Sequence, residues 1–340
     1  MDAVTDSLWF TGSILAIETS CDETSVAVLE GPHVLANVVA SQVDMHRKWG
    51  GVVPEAAARA HVEAIVPTTQ EALTAAGIGL RDVAGIAVTN RPGLVGALSV
   101  GVTFAKGLAF ALSLPLVGVH HLEGHLLSPM AEPSTIMFPH LSLIVSGGHT
   151  EVVWVDAPGR YQLLGETIDD AAGEAFDKGA RLLGLGYPGG RPLELLASGG
   201  DPKAYALPRS LPADPYHFSF SGLKTAMLRL VEREGDELRP ADAAASLQEA
   251  IVDVLARKAL RIAEERQAPF VSLVGGVSAN RALRARLREG CERLGIGFSA
   301  PRPDLCTDNA AMIGLAGSIR LARGERDGPE LDSLAQAPLP

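Results

Sequence analysis

Residues 14–30 read ILAIETSCDETSVAVLE, and residues 141–155 read LSLIVSGGHTEVVWV. Both stretches share a design: an apolar, β-rich run, a short polar or glycine-rich turn, and a second apolar run. Two such runs around a turn form a hairpin. The hairpins stand about 128 residues apart, so the chain is read as one lobe duplicated, with function carried by the turns.

Outward from the hairpins, helices and strands alternate. His61 to Ala76 has helical period, DVAGIAVT (82–89) is a strand, Leu94–Leu112 a helix, LPLVGV (114–119) a strand, and HLEGHLLSPM (121–130) opens a helix. Such alternation predicts an α/β fold with helices on the faces of a parallel or mixed sheet. AEPSTIMFPH (131–140), with two prolines and no periodicity, is the expected lobe boundary. Beyond it, IDDAAGEAFDKGARLLGL is a helix ended by YPGGRP, and Ala241 to Arg266 is a long amphipathic helix. APFVSLVGGVSANRALRARL is strand, glycine turn and helix, and DNAAMIGLAGSIRLA is a last helix. The expected division is an extension (1–12), a first lobe (13–130, completed by a helix at about 308–325), a second lobe (138–307) and a tail (326–340).

The 340 residues suit two lobes of roughly 150 each. The net charge of −11 argues against a protein that grips nucleic acid through its own field. One local exception exists: residues 257–293 hold nine Lys/Arg against four acids, the candidate nucleic-acid-facing patch. Cys21, Cys291 and Cys306 form neither a metal-ligand pattern nor a disulfide framework. With Asp2 and Asp6 early in the chain and no apolar leader run, the expectation is a cytoplasmic protein. Leu94 to Val119 is apolar, but Lys106 and several glycines interrupt it, so a buried helix and strand are expected rather than a membrane span.

His121 and His125 are four residues apart, which on a helix puts both imidazoles on one face, able to ligate one cation. They follow a buried strand, where α/β sites lie. A zinc peptidase of this kind needs a Glu directly after the first His. Here Glu123 comes two residues later, about 200° around the helix from His121, and points away. Asp308 precedes a helix and by default caps it; as an oxygen ligand it would complete a two-His, one-carboxylate set. The SGGHT turn could cradle phosphate with backbone amides. ETSCDET offers hydroxyls and the acids Glu18, Asp22 and Glu23 for a cation or a substrate amine. Asn280 opens a helix after Gly275-Gly276, a place suited to an anion or a nucleoside. Asp170, Glu174 and Asp177 are spaced to share one helical face, with Asp177 near the YPGG turn as a candidate ribose ligand.

Together the segments ETSCDETSVAV, GGVVPEAAARAH, PGLVGALSVG, HHLEGHLLSP, LIVSGGHTE, GETIDDAAGEAFDKGARLLGLGYPGG, FSFSGLKTA, VGGVSANRALR and CTDNAAMI closely resemble the TsaD/Kae-type tRNA N6-adenosine threonylcarbamoyltransferases. They run from about residue 14 to 318. The resemblance implies a duplicated actin/Hsp70-like (ribonuclease H-like) ATPase fold, two lobes with the active site in the cleft between them. It implies transfer of threonylcarbamoyl from threonylcarbamoyl-AMP to N6 of adenosine 37 in tRNAs reading codons that begin with A. Metal ligands then fall on His121, His125 and Asp308. Substrate-binding positions fall on Ile144, Val145, Ser146, Gly147, Gly148, Asp177, Gly190 and Asn280, and Asp22 and Glu23 match acids of the family's first loop. The implied cofactor is one divalent metal, Fe2+ with Zn2+ or Mg2+ as alternatives, and ATP or ADP is an expected ligand. The implied partners are tRNA, a TsaB-like paralogue, a TsaE-like P-loop ATPase and a second copy of the chain, with no membrane. The sequence departs from the family's G-P-G-L at Asn90-Arg91-Pro92-Gly93-Leu94, where Arg91 could restrict the loop or add a phosphate contact. A sugar kinase of the same fold, a metallopeptidase and a non-catalytic nucleotide-binding scaffold remain the alternatives.

Overall fold

The computed structural model describes residues 8–131, 133 and 136–340. Asp2, Asp6 and most of the expected extension lie outside these residues, as does part of the 131–140 boundary. The chain forms two compact units, Met1–Thr135 with Asp304–Pro340, and Ile136–Pro303. The first unit runs β1 (Ser13–Glu18), β2 (Glu23–Glu30), β3 (His33–Ser41), α1 (Val43–His46), α2 (Pro54–Ala76), β4 (Val83–Arg91), α3 (Val95–Leu112), β5 (Leu116–His120) and α4 (His121–Leu127). The second runs β6 (His140–Val145), β7 (Thr150–Ala157), β8 (Arg160–Glu166), α5 (Ala172–Leu182), α6 (Gly190–Ala197), α7 (Ser221–Glu234), α8 (Pro240–Glu265), β9 (Phe270–Val274), α9 (Arg281–Leu294) and β10 (Gly297–Ser299). The chain then returns to the first unit with α10 (Ala310–Ala322).

The two hairpins are β1–β2 and β6–β7, both antiparallel. Each seeds a mixed five-stranded sheet, ordered β3-β2-β1-β4-β5 in one unit and β8-β7-β6-β9-β10 in the other. In both, the hairpin's first strand pairs parallel with the next strand inward (β1 with β4, β6 with β9), and that strand pairs parallel with the edge. The duplication is therefore one of topology. β1 and β6 are buried along their whole length, because each is the middle strand, covered on both faces and flanked on both sides. In the first unit Leu15, Ile17, Val26 and Val28 pack with Ile65 of α2 and Val102 of α3. In the second, Leu141 and Leu143 pack with Phe176, Ile251 and Leu273.

Several elements differ from the sequence expectations. β3 and β8 are half-exposed edge strands without a continuous apolar run, so their pattern is faint. α2 starts at Pro54 rather than His61, because proline suits the first helical turn, where its missing N–H is not needed. YPGGRP does not simply end a helix: Gly190 begins α6. Asp170 lies outside α5 and does not share its face with Asp177; Lys178 Nζ draws in Asp170 (2.6 Å) and Glu174 (2.8 Å).

α3 is the one helix among the described residues long and apolar enough to cross a bilayer. It packs on β4 and α2 with Ala97, Leu98, Gly101, Val102, Ala105 and Ala109 buried. Its lysine is accounted for, since Lys106 Nζ donates to the Leu331 carbonyl at 3.0 Å. Leu331 belongs to residues 326–340, expected as a tail and found as a strap across the first unit. Asp327 joins Leu116 and Gly118 of β5 through its amide (2.8 Å) and its Oδ2 (2.7 Å). Asn90 Nδ2 donates to the Asp332 carbonyl and the Leu334 amide donates to the Asn90 carbonyl, both at 2.9 Å. His120 Nε2 meets the Ala337 carbonyl at 3.1 Å. Arg91, the departure from the family loop, turns back on Asn90 Oδ1 at 2.7 Å.

Deleting residues 327–340 should therefore lower stability by at least about 2 kcal/mol, from the lost burial of Leu331 and several hydrogen bonds. An unchanged urea midpoint would show that the strap only lies on the surface. A second expectation concerns Glu151, buried on β7 opposite Glu166 of β8. Burial, and then Glu166, push its carboxyl up to about 7. A raised carboxyl favours the folded state below its unfolded pKa, and that contribution is lost as pH rises through about 7. Glu151→Gln should thus gain about 1–3 kcal/mol over the parent at pH 8 and nothing at pH 4, as read by denaturation at the two pH values.

Candidate metal centre

The parallel strands of the first unit end together, and their carboxyl ends carry the polar residues. β1 ends on Glu18, β4 carries Thr89 and β5 ends on His120. His120 is the N-cap of α4: its Nδ1 accepts from the Leu122 amide at 3.2 Å while its Nε2 reaches the strap. The next residue, His121, and His125 stand one turn apart with ring centroids 4.8 Å apart and planes at 86°.

Asp308 closes the group. Its Oδ1 is 3.1 Å from His125 Nε2 and 3.5 Å from His121 Nε2. One donor atom from each residue falls within 4.8 Å of the others. Both histidines are buried, while the Asp308 side chain keeps 26% of its exposure, leaving the group reachable. Two imidazole nitrogens and a carboxylate oxygen are a donor set for a divalent transition metal, so the cluster could hold one ion.

Asp308 does not cap α10, the default expectation for its position. Asn309 does, accepting from the Met312 amide at 3.1 Å. The two preceding amides are also satisfied, Ala310 by Ser25 Oγ (2.9 Å) and Ala311 by Asn37 Oδ1 (3.2 Å). With the helix's first donors occupied, the Asp308 carboxylate turns to the histidines. Gly124 permits the approach, since a Cβ there would stand 2.8 Å from Ile313 Cδ1 of α10. Glu123 points away as the helical angle predicts: its Oε2 is 3.5 Å from Arg320 Nη1.

Electrostatics separate the two histidines. Burial opposes charge on His121, but Asp308 and then Glu18 outweigh it and hold its pKa up at about 9. For His125 burial prevails and the pKa is lowered. Glu18 is the residue that sequence reasoning left undistinguished among its acidic neighbours. It is fully buried, with Oε2 3.0 Å from His121 Nδ1, and its one sequence signal is an acid directly following an apolar central strand. Asp22 and Glu23 lie in the same turn but outside the cluster. Glu23 Oε1 accepts from Ser41 Oγ at 2.9 Å, and burial, with Asp22 and Asp308 nearby, raises its pKa to about 9.

The second unit holds the other expected positions. Ile144 and Val145 end β6, and the Ser146 amide donates to the His149 carbonyl at 2.8 Å, closing the turn. That amide is spent on the turn and is not a phosphate donor; Gly147 and Gly148 have open space at their Cβ positions. The backbone after β9 turns at Gly275, with φ +89°, where a Cβ would meet the Val145 carbonyl oxygen at 2.5 Å. Asp177 Oδ1 accepts from the Gly189 amide at 2.7 Å and so braces the YPGG turn ahead of Gly190. Asn280 caps α9, accepting from the Leu283 amide and donating to Gln248 Oε1, each at 2.9 Å.

Residues 33–315 match the family model described as TsaD, tRNA N6-adenosine threonylcarbamoyltransferase. The chain is 50% identical to a tRNA N6-adenosine threonylcarbamoyltransferase of Syntrophotalea carbinolica, over 96% of each chain. It is 51% identical to that of Symbiobacterium thermophilum, over 95% of this chain and 96% of the other. A crystal structure of full-length HypF in a phosphate- and nucleotide-bound form superposes with a TM-score of 0.59 at 16% identity, covering 97% of this chain and 57% of that one. That likeness concerns the fold alone: the repeated sheet is the duplication expected from the two hairpins, in the actin-like form that the family resemblance implied. By family model, identity and coverage, the chain belongs to the tRNA N6-adenosine threonylcarbamoyltransferases.

Proposed function

We propose that the chain transfers threonylcarbamoyl from threonylcarbamoyl-AMP to N6 of adenosine 37 in tRNAs reading codons that begin with A. The adenine N6 lone pair attacks the carbamoyl carbon, the bond from that carbon to the phosphate oxygen breaks, AMP leaves and N6 loses a proton. The observation that carries this reading within the family is the convergence of His121, His125 and Asp308. These three would hold one divalent ion. Fe2+ or Zn2+ suits two imidazoles and a carboxylate better than Mg2+, which prefers oxygen ligands. When bound, such an ion supplies Lewis acidity to an acyl or phosphoryl oxygen.

The chain's own groups do the remaining work. In the second unit the Gly147 and Gly148 amides beside Ile144, Val145 and Ser146 would take the adenylate phosphate. Asp177, braced by the Gly189 and Gly190 amides, would serve with Gly190 and Asn280 at the nucleoside, a site that ATP or ADP could also use. Asp22 and Glu23 would act near the first-lobe turn. An exocyclic adenine amine is a weak nucleophile, so positioning supplies much of the rate. The peptidase alternative lacks its general base, because Glu123 pairs with Arg320.

Arg257, Arg261, Arg286 and Arg293 line a groove of ≈ 390 Å3 between α8 and α9, the proposed surface for tRNA phosphates in an otherwise acidic chain. Partial neutralisation by Glu249 and Glu265 (Arg286–Glu249 2.9 Å, Arg261–Glu265 2.6 Å) fits an expected reliance on partners, a TsaB-like paralogue and a TsaE-like P-loop ATPase. Val62 and Val66 of α2, with Val95 and Phe110 of α3, are exposed on two helices that pack together. Apolar exposure of this kind suits a protein contact, here the paralogue or a second copy of the chain. The cytoplasm is the proposed compartment.

Nucleoside analysis of tRNA incubated with the chain, those partners, threonine, bicarbonate and ATP should show threonylcarbamoyladenosine. ATP-dependent phosphorylation of a sugar with no tRNA product would favour the kinase instead. His121→Ala should abolish transfer with the fold retained, and undiminished modification by that variant would sink the metal assignment. Reversing Arg257 and Arg293 to Glu should weaken tRNA binding and flatten the dependence of log affinity on log salt by about two. An unchanged slope would remove the groove from the tRNA surface.

A further inference from the structure

Glu18 is a fully buried carboxylate at the end of β1. A carboxylate so placed is costly unless its oxygens are satisfied. Three donors meet it. The Ser20 amide donates to Oε1 at 2.5 Å, the Thr89 hydroxyl donates to Oε2 at 2.6 Å, and His121 Nδ1 lies 3.0 Å from Oε2. The parallel register, with Ile17 opposite Val88, carries on to set Thr89 beside Glu18, so the sheet itself builds the arrangement.

The consequence for the imidazole is directional. A carboxylate can only accept, so a proton sits on His121 Nδ1, where Ser20 Oγ also lies at 3.2 Å, and Nε2 is the nitrogen turned to Asp308. His125 lacks such an anchor: its Nδ1 is buried with no hydrogen-bond partner among the described residues. The two histidines are therefore not equivalent: His121 has a carboxylate against each ring nitrogen, whereas His125 meets one only at Nε2, from Asp308.

We propose that Glu18 is a positioning residue of the metal site: by accepting the Nδ1 proton of His121 it fixes that ring's tautomer and orientation so that Nε2 is presented as a ligand, while Thr89 holds Glu18 in place. The inference rests on the reading of His121, His125 and Asp308 as metal ligands. Outer carboxylates of this type orient ligating histidines and raise their basicity. The competing account is that Glu18 merely ties β1 to β4.

The test compares the metal-free full chain with Glu18→Gln, using Zn2+ affinity by competition with a chromophoric chelator and the visible spectrum of the Co2+ form. A glutamine keeps the shape but sets an NH2 against His121 Nδ1 or against the Ser20 amide. The expected result is a loss of about 10–100-fold in Zn2+ affinity and an altered Co2+ spectrum, with little change in the metal-free Tm. A lowered metal-free Tm with unchanged Zn2+ affinity overturns the proposal. If Glu18→Gln does not fold, Thr89→Val decides, since it keeps the carboxylate and removes one of its donors. Weaker Zn2+ binding by Thr89→Val supports the proposal, and parental affinity overturns it. A parent chain that takes up neither Zn2+ nor Co2+ removes the metal reading and this inference together. Uptake by the parent with an unaffected Glu18→Gln variant removes only the role of Glu18.

Discussion

The return of the last helix to the first sheet is the constraint on which the candidate centre depends. Asp308 meets His125 across 183 residues, and it can do so only because α10 packs on β1, β2 and α4. Two local features make that packing productive. Gly124 lets α10 approach α4 closely, and Ser25, Asn37 and Asn309 occupy the first amides of α10. A helix start normally draws a neighbouring carboxylate to itself. Here its donors are already satisfied, so Asp308 is left for the histidines.

Around α4 and in α8, buried charge is matched locally. Around α4, Glu18 and Asp308 flank His121 on opposite ring nitrogens, and Glu123 turns to Arg320. In the second unit Lys258 is buried in α8, with Nζ donating to the carbonyls of Leu211 (3.0 Å), Asp214 (2.8 Å) and His217. Isolated charges in such places would be costly. Each of these is held in a network whose geometry also fixes a loop or a helix.

The two units have sheets of the same topology and differ in what their strand ends carry. In the first, the ends of β1, β4 and β5 bring a carboxylate, a hydroxyl and imidazoles together. In the second, the ends of β6 and β9 are followed by glycine turns and hydrogen-bonded polar residues. Asp177 and Asn280 each spend part of their side chain on the scaffold, bracing the YPGG turn and capping α9. Both side chains are thereby held in place by the backbone that they brace.

The sequence by itself determined a good deal. Apolar runs around ETSCDET and SGGHT specified the two hairpins, and through them the duplicated sheets, because central strands covered on both faces must be apolar throughout. The spacing of His121 and His125 placed both rings on one helical face and turned Glu123 away, because the helical period is a local property. Tertiary structure alone decided the rest. Whether Asp308 capped a helix or faced the histidines depended on Asn309, its neighbour, taking the cap and on Ser25 and Asn37 filling the first two amides of α10. The place of Glu18 depended on the register between β1 and β4, and the role of residues 326–340 on contacts with β4, β5 and His120. Apart from Asn309, these partners are far away in sequence, so no periodicity or local motif could record them.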